Sequence, residues 1–143
     1  MIELLNSFFK FINSHPLDGK FKIKPRAATK MVDIFLKLKE TGKVLTIGTL
    51  DEKGKVSSIL FARTEERPYL EEEKILYIEI AYTRENKRNS GNMSALINYI
   101  HKWMKKKSIS ILELRTITDN NTAVEFWKKK GFKDFYIRFR KTI

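Results

Sequence analysis

The residues with the clearest chemical potential lie in one turn, Arg88-Asn89-Ser90-Gly91-Asn92-Met93, between an apolar run and an amphipathic one. A chain that leaves a strand and enters a helix at such a turn presents the helix's first backbone N–H groups, unpaired, at the positive end of its dipole. That arrangement binds phosphate. Gly91 lets an anion approach the backbone, and Arg88 adds a two-pronged donor. One glycine near a helix start also fits a plain turn, so both readings stand at this point. Upstream, Glu79 is the only acid in the apolar run Ile75–Tyr82. A carboxylate buried in a strand is costly unless it is paired or used. It fits a general base, an outward-facing acid on a half-exposed strand, or the partner of a lysine.

These residues need a scaffold, and the hydrophobic periods supply one. Ile2–Ile12 places Leu4, Leu5, Phe8, Phe9, Phe11 and Ile12 on one helical face. That stripe is too large to leave wet, and it predicts packing on its own domain or across a homodimer through this helix. His15-Pro16-Leu17-Asp18-Gly19 breaks the helix, and Phe21-Lys22-Ile23-Lys24 permits a short strand. Pro25 suits the first turn of a second helix, with Met31, Ile34, Phe35 and Leu38 as its apolar positions and Gly42 at its stop.

From Lys43 the period changes to two. Val44–Leu50, the turn Asp51-Glu52-Lys53-Gly54 and Lys55–Ala62 predict a β-hairpin. An acidic loop containing Pro68 leads to a third strand, Lys74–Thr83. After the Arg88–Met93 turn, Met93, Leu96, Ile97, Ile100, Trp103 and Met104 mark an amphipathic helix ending in Lys105-Lys106-Lys107. Ile109–Ile117 reads as a strand. Asp119 or Asn120 caps a helix running to Lys130, Gly131 stops it, and Phe135–Thr142 reads as a last strand. The unit Lys74–Ile117 predicts a right-handed parallel crossover beside an antiparallel hairpin. The fold class is therefore a mixed α/β (α+β) sheet with helices on both faces.

Composition narrows the chemistry. The 143 residues fit one domain, 42% hydrophobic and 32% charged. Zero cysteines exclude disulfides and thiolate chemistry, and two histidines argue against a metal site. The opening Met1-Ile2-Glu3-Leu4-Leu5 has an acid where a secretory signal has bases, and no stretch has the length of a membrane helix, so a cytoplasmic protein is expected. The net charge of +12 divides as +5 over residues 1–43, −2 over 44–87 and +9 over 88–143. A basic surface attracts polyanions such as nucleic acid, lipid or a phosphorylated small molecule, although lysine runs are commonly plain solvated faces.

Two segments together resemble the GNAT acetyltransferase superfamily. Arg88 and Gly91 match the first two fixed positions of its Arg/Gln-x-x-Gly-x-Gly/Ala pyrophosphate loop, with Met93 at the third, and Leu96 stands where its next helix usually has leucine. Asn120-Asn121-Thr122-Ala123-Val124-Glu125-Phe126-Trp127-Lys128-Lys129-Lys130-Gly131-Phe132 is similar to its Asn-x-x-Ala-…-Phe-Tyr-x-x-x-Gly-Phe segment. The resemblance covers roughly residues 44–143, an acetyl-CoA-binding core, and leaves 1–43 as a divergent helical part of the same domain. It implies acetyl transfer from acetyl-CoA to a primary amine, small molecule or protein, by direct attack in a ternary complex without metal. It assigns Glu79 as base and strand backbone at Ile80, Ala81 and Tyr82 to the thioester oxygen. Coenzyme contacts fall to Arg88, Asn89, Ser90, Gly91, Asn92, Met93, Asn120 and Trp127. Where the family often has a tyrosine acid, Trp127 offers an N–H that is no proton source near neutral pH, and Tyr82 and Tyr136 are candidate substitutes. The alternative function is a GNAT-fold binding module. Its basic C-terminal third (with Trp103, Trp127, Phe132 and Tyr136 interleaved) would grip nucleic acid or an acidic partner.

Overall fold

A computed structural model of the chain describes residues 1–14, 23–139, 141 and 143. Two helices lead, α1 (Ile2–Ser14) and α2 (Ala27–Lys39). The strands β1 (Val44–Leu50), β2 (Val56–Glu66) and β3 (Lys74–Thr83) follow. A 3-10 turn at Glu85–Lys87 leads into α3 (Asn92–Lys106), then β4 (Ile111–Leu114) and α4 (Asn121–Lys129). The four strands make one sheet in chain order. β1–β2 and β2–β3 are antiparallel, and β3–β4 is parallel across the α3 crossover. This is the predicted mixed sheet.

Local chemistry fixes the hairpin. Asp51 Oδ1 accepts from the Lys53 and Lys55 backbone N–H groups, both at 2.9 Å, and Gly54 takes the positive φ of 72° that closes the turn. Alternation along β2 then sorts the core into two layers. Leu60 and Ala62 face α3 and α4, packing with Leu76, Ile78, Leu96, Ile97, Ile100, Met104 and Trp127. Ile59 and Phe61 face α1 and α2, packing with Ile80, Tyr82, Leu4, Leu5, Ala28 and Phe35. The aromatic stripe of α1 is thus absorbed by its own chain: Phe8, Phe9 and Phe11 lie against the second layer, and the Phe8 ring centroid is 5.7 Å from that of Tyr82.

Several expectations need correction. β2 runs four residues past Ala62, because Arg63 and Glu65 continue its alternation on a face that carries ion pairs instead of apolar side chains. β4 is shorter than expected, since only Ile111–Leu114 find partners on β3. Pro25 precedes α2, whose N-cap is Arg26 in the left-handed region at φ 58°. Ile34 and Leu38 are exposed, and the buried positions of α2 are Ala28 and Phe35. Phe135–Phe139 form no strand, and Phe135, Tyr136, Ile137 and Phe139 are exposed. Consecutive apolar residues name no single face, so that segment specifies its pairing weakly. Arg140 and Thr142 of the expected last strand lie outside the described residues, as do the His15–Gly19 break and Phe21 and Lys22 of the early strand.

Leu4 and Leu5 are fully buried beneath the sheet face that carries Ile80 and Tyr82. Leu5→Ala is therefore expected to cost about 2–5 kcal/mol, read as a lower urea midpoint at unchanged slope. An unchanged midpoint would show that α1 contributes no core.

Candidate active site

One extra residue organises the centre of the sheet. Phe61 pairs with Ile80 and Ala62 with Ile78, so Glu79 has no opposite number on β2. Such a bulge reverses the side-chain alternation of its strand. Leu76 and Ile78 accordingly face α3, whereas Ile80 and Tyr82 face α1. The parallel ladder with β4 also ends here, at the pair Ile78–Leu114. From Glu79 to Thr83 the outer edge of β3 has no strand partner among the described residues, and it runs straight to the Arg88–Met93 turn.

The turn itself has the features of an anion site. Asn89 and Gly91 both take positive φ, 60° and 79°. Gly91 is the N-cap of α3, no side chain caps that terminus, and a Cβ added to Gly91 would meet nothing within 4 Å. Backbone N–H groups at the helix start are thus presented to open space. Met93 packs against the apolar layer and leaves the turn clear. Asn92 Nδ2 donates to the buried Ser57 Oγ at 3.3 Å, and Ser57 in turn shares a 2.8 Å hydrogen bond with Thr49 Oγ1. Ser57 is itself the extra residue of the β1–β2 bulge, between Thr49–Ser58 and Leu50–Val56. The helix start is therefore tied to the hairpin below it. Arg88 is exposed; its Nε points to the Thr83 carbonyl at 3.4 Å and its guanidinium lies 5.9 Å from the Tyr82 ring centroid.

Glu79 is partly buried and accepts from Arg63 Nε through Oε1. Its partner is thus an arginine, where a lysine had been one expectation. Arg63 also pairs with Glu65 and stands 5.6 Å over the Tyr77 ring. Those carboxylates, Glu79 foremost, hold its guanidinium charged. Arg67 donates to both oxygens of Glu113, at 3.0 and 2.9 Å, and to Glu65 at 3.0 Å, which raises its pKa still further above the working range. Burial pushes the Tyr77 hydroxyl up as well. An open depression lined by Lys43, Arg63, Glu65, Arg67 and Tyr69 adjoins this cluster. Sequence reading took Glu65 only as part of the acidic loop Glu65–Glu73 that could attract a cationic amine, and passed over Arg63, Arg67 and Glu113. The signal was the charge alternation in Arg63-Thr64-Glu65-Glu66-Arg67, which places Arg63 and Glu65 on one face of β2 with Arg67 just past its end.

The remaining assigned residues divide. Ile80, Ala81 and Tyr82 lie on the unpaired stretch of β3, next to Glu79. Asn120 caps α4, its Oδ1 accepting from the Ala123 N–H at 3.2 Å. Trp127 is buried, with its ring edge-on to Phe126 and Phe132, each centroid 5.1 Å away. Packing therefore explains both without a ligand. Of the two tyrosine candidates, Tyr82 is buried against Phe8, and Tyr136 is exposed.

Comparison with known proteins bears on this geometry. No curated protein sequence matches the chain. Solved structures do. A Bacillus halodurans protein, solved as a tetramutant, superposes with TM-score 0.83 at 16% identity, over 99% of this chain and 91% of that one. An aminoglycoside 6'-N-acetyltransferase from Acinetobacter haemolyticus superposes with TM-score 0.69 at 18% identity, over 99% and 90%. An aminoglycoside acetyltransferase from an uncultured soil metagenomic sample, solved with sisomicin, gives 0.71 at 17% identity, over 99% and 85%. These likenesses concern the fold. The family model of the GNAT acetyltransferases matches residues 5–132, which takes in the helical part that the motifs had left aside as well as the sheet, and the chain belongs to that family.

Proposed function

We propose that the protein transfers an acetyl group from acetyl-CoA to a cationic primary amine, by direct attack of the amine on the thioester in a ternary complex. The observation that carries this reading is the continuity of two unsatisfied surfaces. Among the described residues the outer edge of β3 has no strand partner from Glu79 onward, and it leads to the start of α3, where no side chain caps the helix. Arg88, Asn89, Ser90, Gly91, Asn92 and Met93 would receive the coenzyme diphosphate, mainly through backbone N–H groups. The clear space around Gly91 and the inward Met93 support that fit. The free edge at Ile80–Tyr82 would hydrogen-bond the extended arm of the coenzyme and place an N–H on the thioester oxygen. Bound acetyl-CoA supplies an activated acyl group whose thiolate leaves without an acid, because a thiol ionises near pH ~8.5. No tyrosine is then required at position 127.

Glu79 is the group that takes the amine's proton, directly or through water. It sits at the bulge, where the reacting edge begins, and its carboxylate is only partly buried. Three carboxylates (Glu65, Glu79 and Glu113) crowd this face of the sheet, which favours a positively charged acceptor. Sisomicin, held by one structural relative, is an amine of that kind and a direct choice for assay.

Two outcomes follow. Arg88→Ala should weaken acetyl-CoA binding by about 1.5–3 kcal/mol, the range for hydrogen bonds to a charged group, as read by calorimetry. Gly91→Glu, which brings a carboxylate to the helix start, should weaken it too. Equal affinity in both variants would place the coenzyme elsewhere. Glu79→Gln should lower turnover by about 10²–10⁴-fold with coenzyme affinity preserved. Near wild-type turnover in that variant would leave catalysis to positioning alone.

A further inference from the structure

In the resting protein the carboxylate read as the base is already engaged by Arg63, and the way it is engaged differs from the neighbouring ion pairs. Arg67 is pinned by two bonds to Glu113 and one to Glu65, and its side chain is 24% exposed. Arg63 makes one bond to Glu79 and one to Glu65, and its side chain is 43% exposed against 19% for Glu79. If Arg63 leaves Glu79 it keeps Glu65 and the Tyr77 face, so its charge stays paired. A primary ammonium group offers Glu79 the same charge and the same kind of N–H donor as the guanidinium it would replace.

We propose that Arg63 is a displaceable counter-ion of Glu79, and that the acceptor enters by exchanging its ammonium group for the Arg63 guanidinium. Arg63 stays in the cluster on Glu65, so the incoming ammonium balances the one negative charge by which Glu65, Glu79 and Glu113 exceed Arg63 and Arg67. One proton then moves from the ammonium nitrogen to a Glu79 oxygen, giving a neutral amine with a free lone pair and a neutral carboxyl group, which later returns the proton to solvent. Arg63, parked on Glu65, stays beside the reaction without touching it. Arg63 is thus a specificity-determining residue. It admits primary ammonium groups able to donate to Glu79 and gives no advantage to quaternary ones, which have no N–H. The inference rests on the reading of Glu79 as the base.

The test is steady-state kinetics with sisomicin as acceptor and saturating acetyl-CoA, on wild type, Arg63→Met and Arg63→Lys, each also in a Glu79→Gln background. Removing a competing internal cation should lower the acceptor KM by about three- to fivefold, the equivalent of a half-exposed ion pair, with kcat and the acetyl-CoA KM unchanged. Arg63→Lys should lie between Arg63→Met and wild type, and it decides the matter if the methionine variant does not fold. In the Glu79→Gln background the Arg63 substitutions should leave the acceptor KM unmoved. An acceptor KM that rises or stays constant in folded Arg63→Met, while Glu79→Gln still lowers turnover by about 10²-fold or more, overturns the counter-ion role alone. Full turnover in Glu79→Gln overturns the base reading. Thiol release by wild type on none of sisomicin, spermidine and butylamine overturns both.

Discussion

Between the pairs Phe61–Ile80 and Ala62–Ile78, β3 carries one residue more than β2, and that residue is Glu79. Three features of the molecule depend on this mismatch. The side chains of β3 change faces, so Ile80 and Tyr82 seal α1 and α2 to a sheet whose other layer is held by Leu76 and Ile78. The β3–β4 ladder stops at Ile78, which leaves a length of strand backbone with hydrogen-bonding capacity to spare. The acid itself is held at the point where that free edge begins. A strand without the extra residue would turn Ile80 and Tyr82 toward the α3 layer and leave Leu4, Leu5 and Phe35 without their present partners.

The helices serve this arrangement from opposite sides. α3 packs Leu96, Ile97, Ile100 and Met104 on one layer, and its first residue is tied by Asn92 to the buried Ser57. The helix start is thereby fixed in line with the free edge, and Gly91 at positive φ keeps side-chain bulk away from it. On the other side α1 and α2 cover Ile59, Phe61, Ile80 and Tyr82, and the sheet face beyond them carries Arg63, Glu65, Arg67, Tyr77 and Glu113. Coenzyme and acceptor would thus approach from different directions, a requirement of direct transfer between two bound substrates.

The sequence made the scaffold legible where the pattern was local. Val44–Leu50 and Lys74–Thr83 have the observed strand bounds, because each is a period-two run closed by a turn or a polar stretch. The Asn120 cap and the glycines at positions 91 and 131 were readable for the same reason. What escaped depends on partners far along the chain. The bulge exists only in the register between β2 and β3, and period two alone puts Ile78 and Ile80 on one face. The extension of β2 through Glu66 was hidden because its residues on that face, Arg63 and Glu65, are charges that pair with Glu79 and Arg67. Glu79 was identified as the exceptional acid, but its partner sits 16 residues upstream on another strand and no spacing names it. Phe135–Phe139 shows the converse failure, an apolar run read as a strand that has no strand pairing among the described residues.

The central claim is that acetyl-CoA lies along the free edge of β3 and ends at the start of α3. Amide hydrogen exchange with and without acetyl-CoA tests it directly, since it reads the backbone groups concerned. The account predicts that protection on binding concentrates at Ile80–Tyr82 and at Asn92–Ser94, with β1 and α4 little changed. Protection that appears elsewhere, with these two segments exchanging as in the free protein, would contradict it.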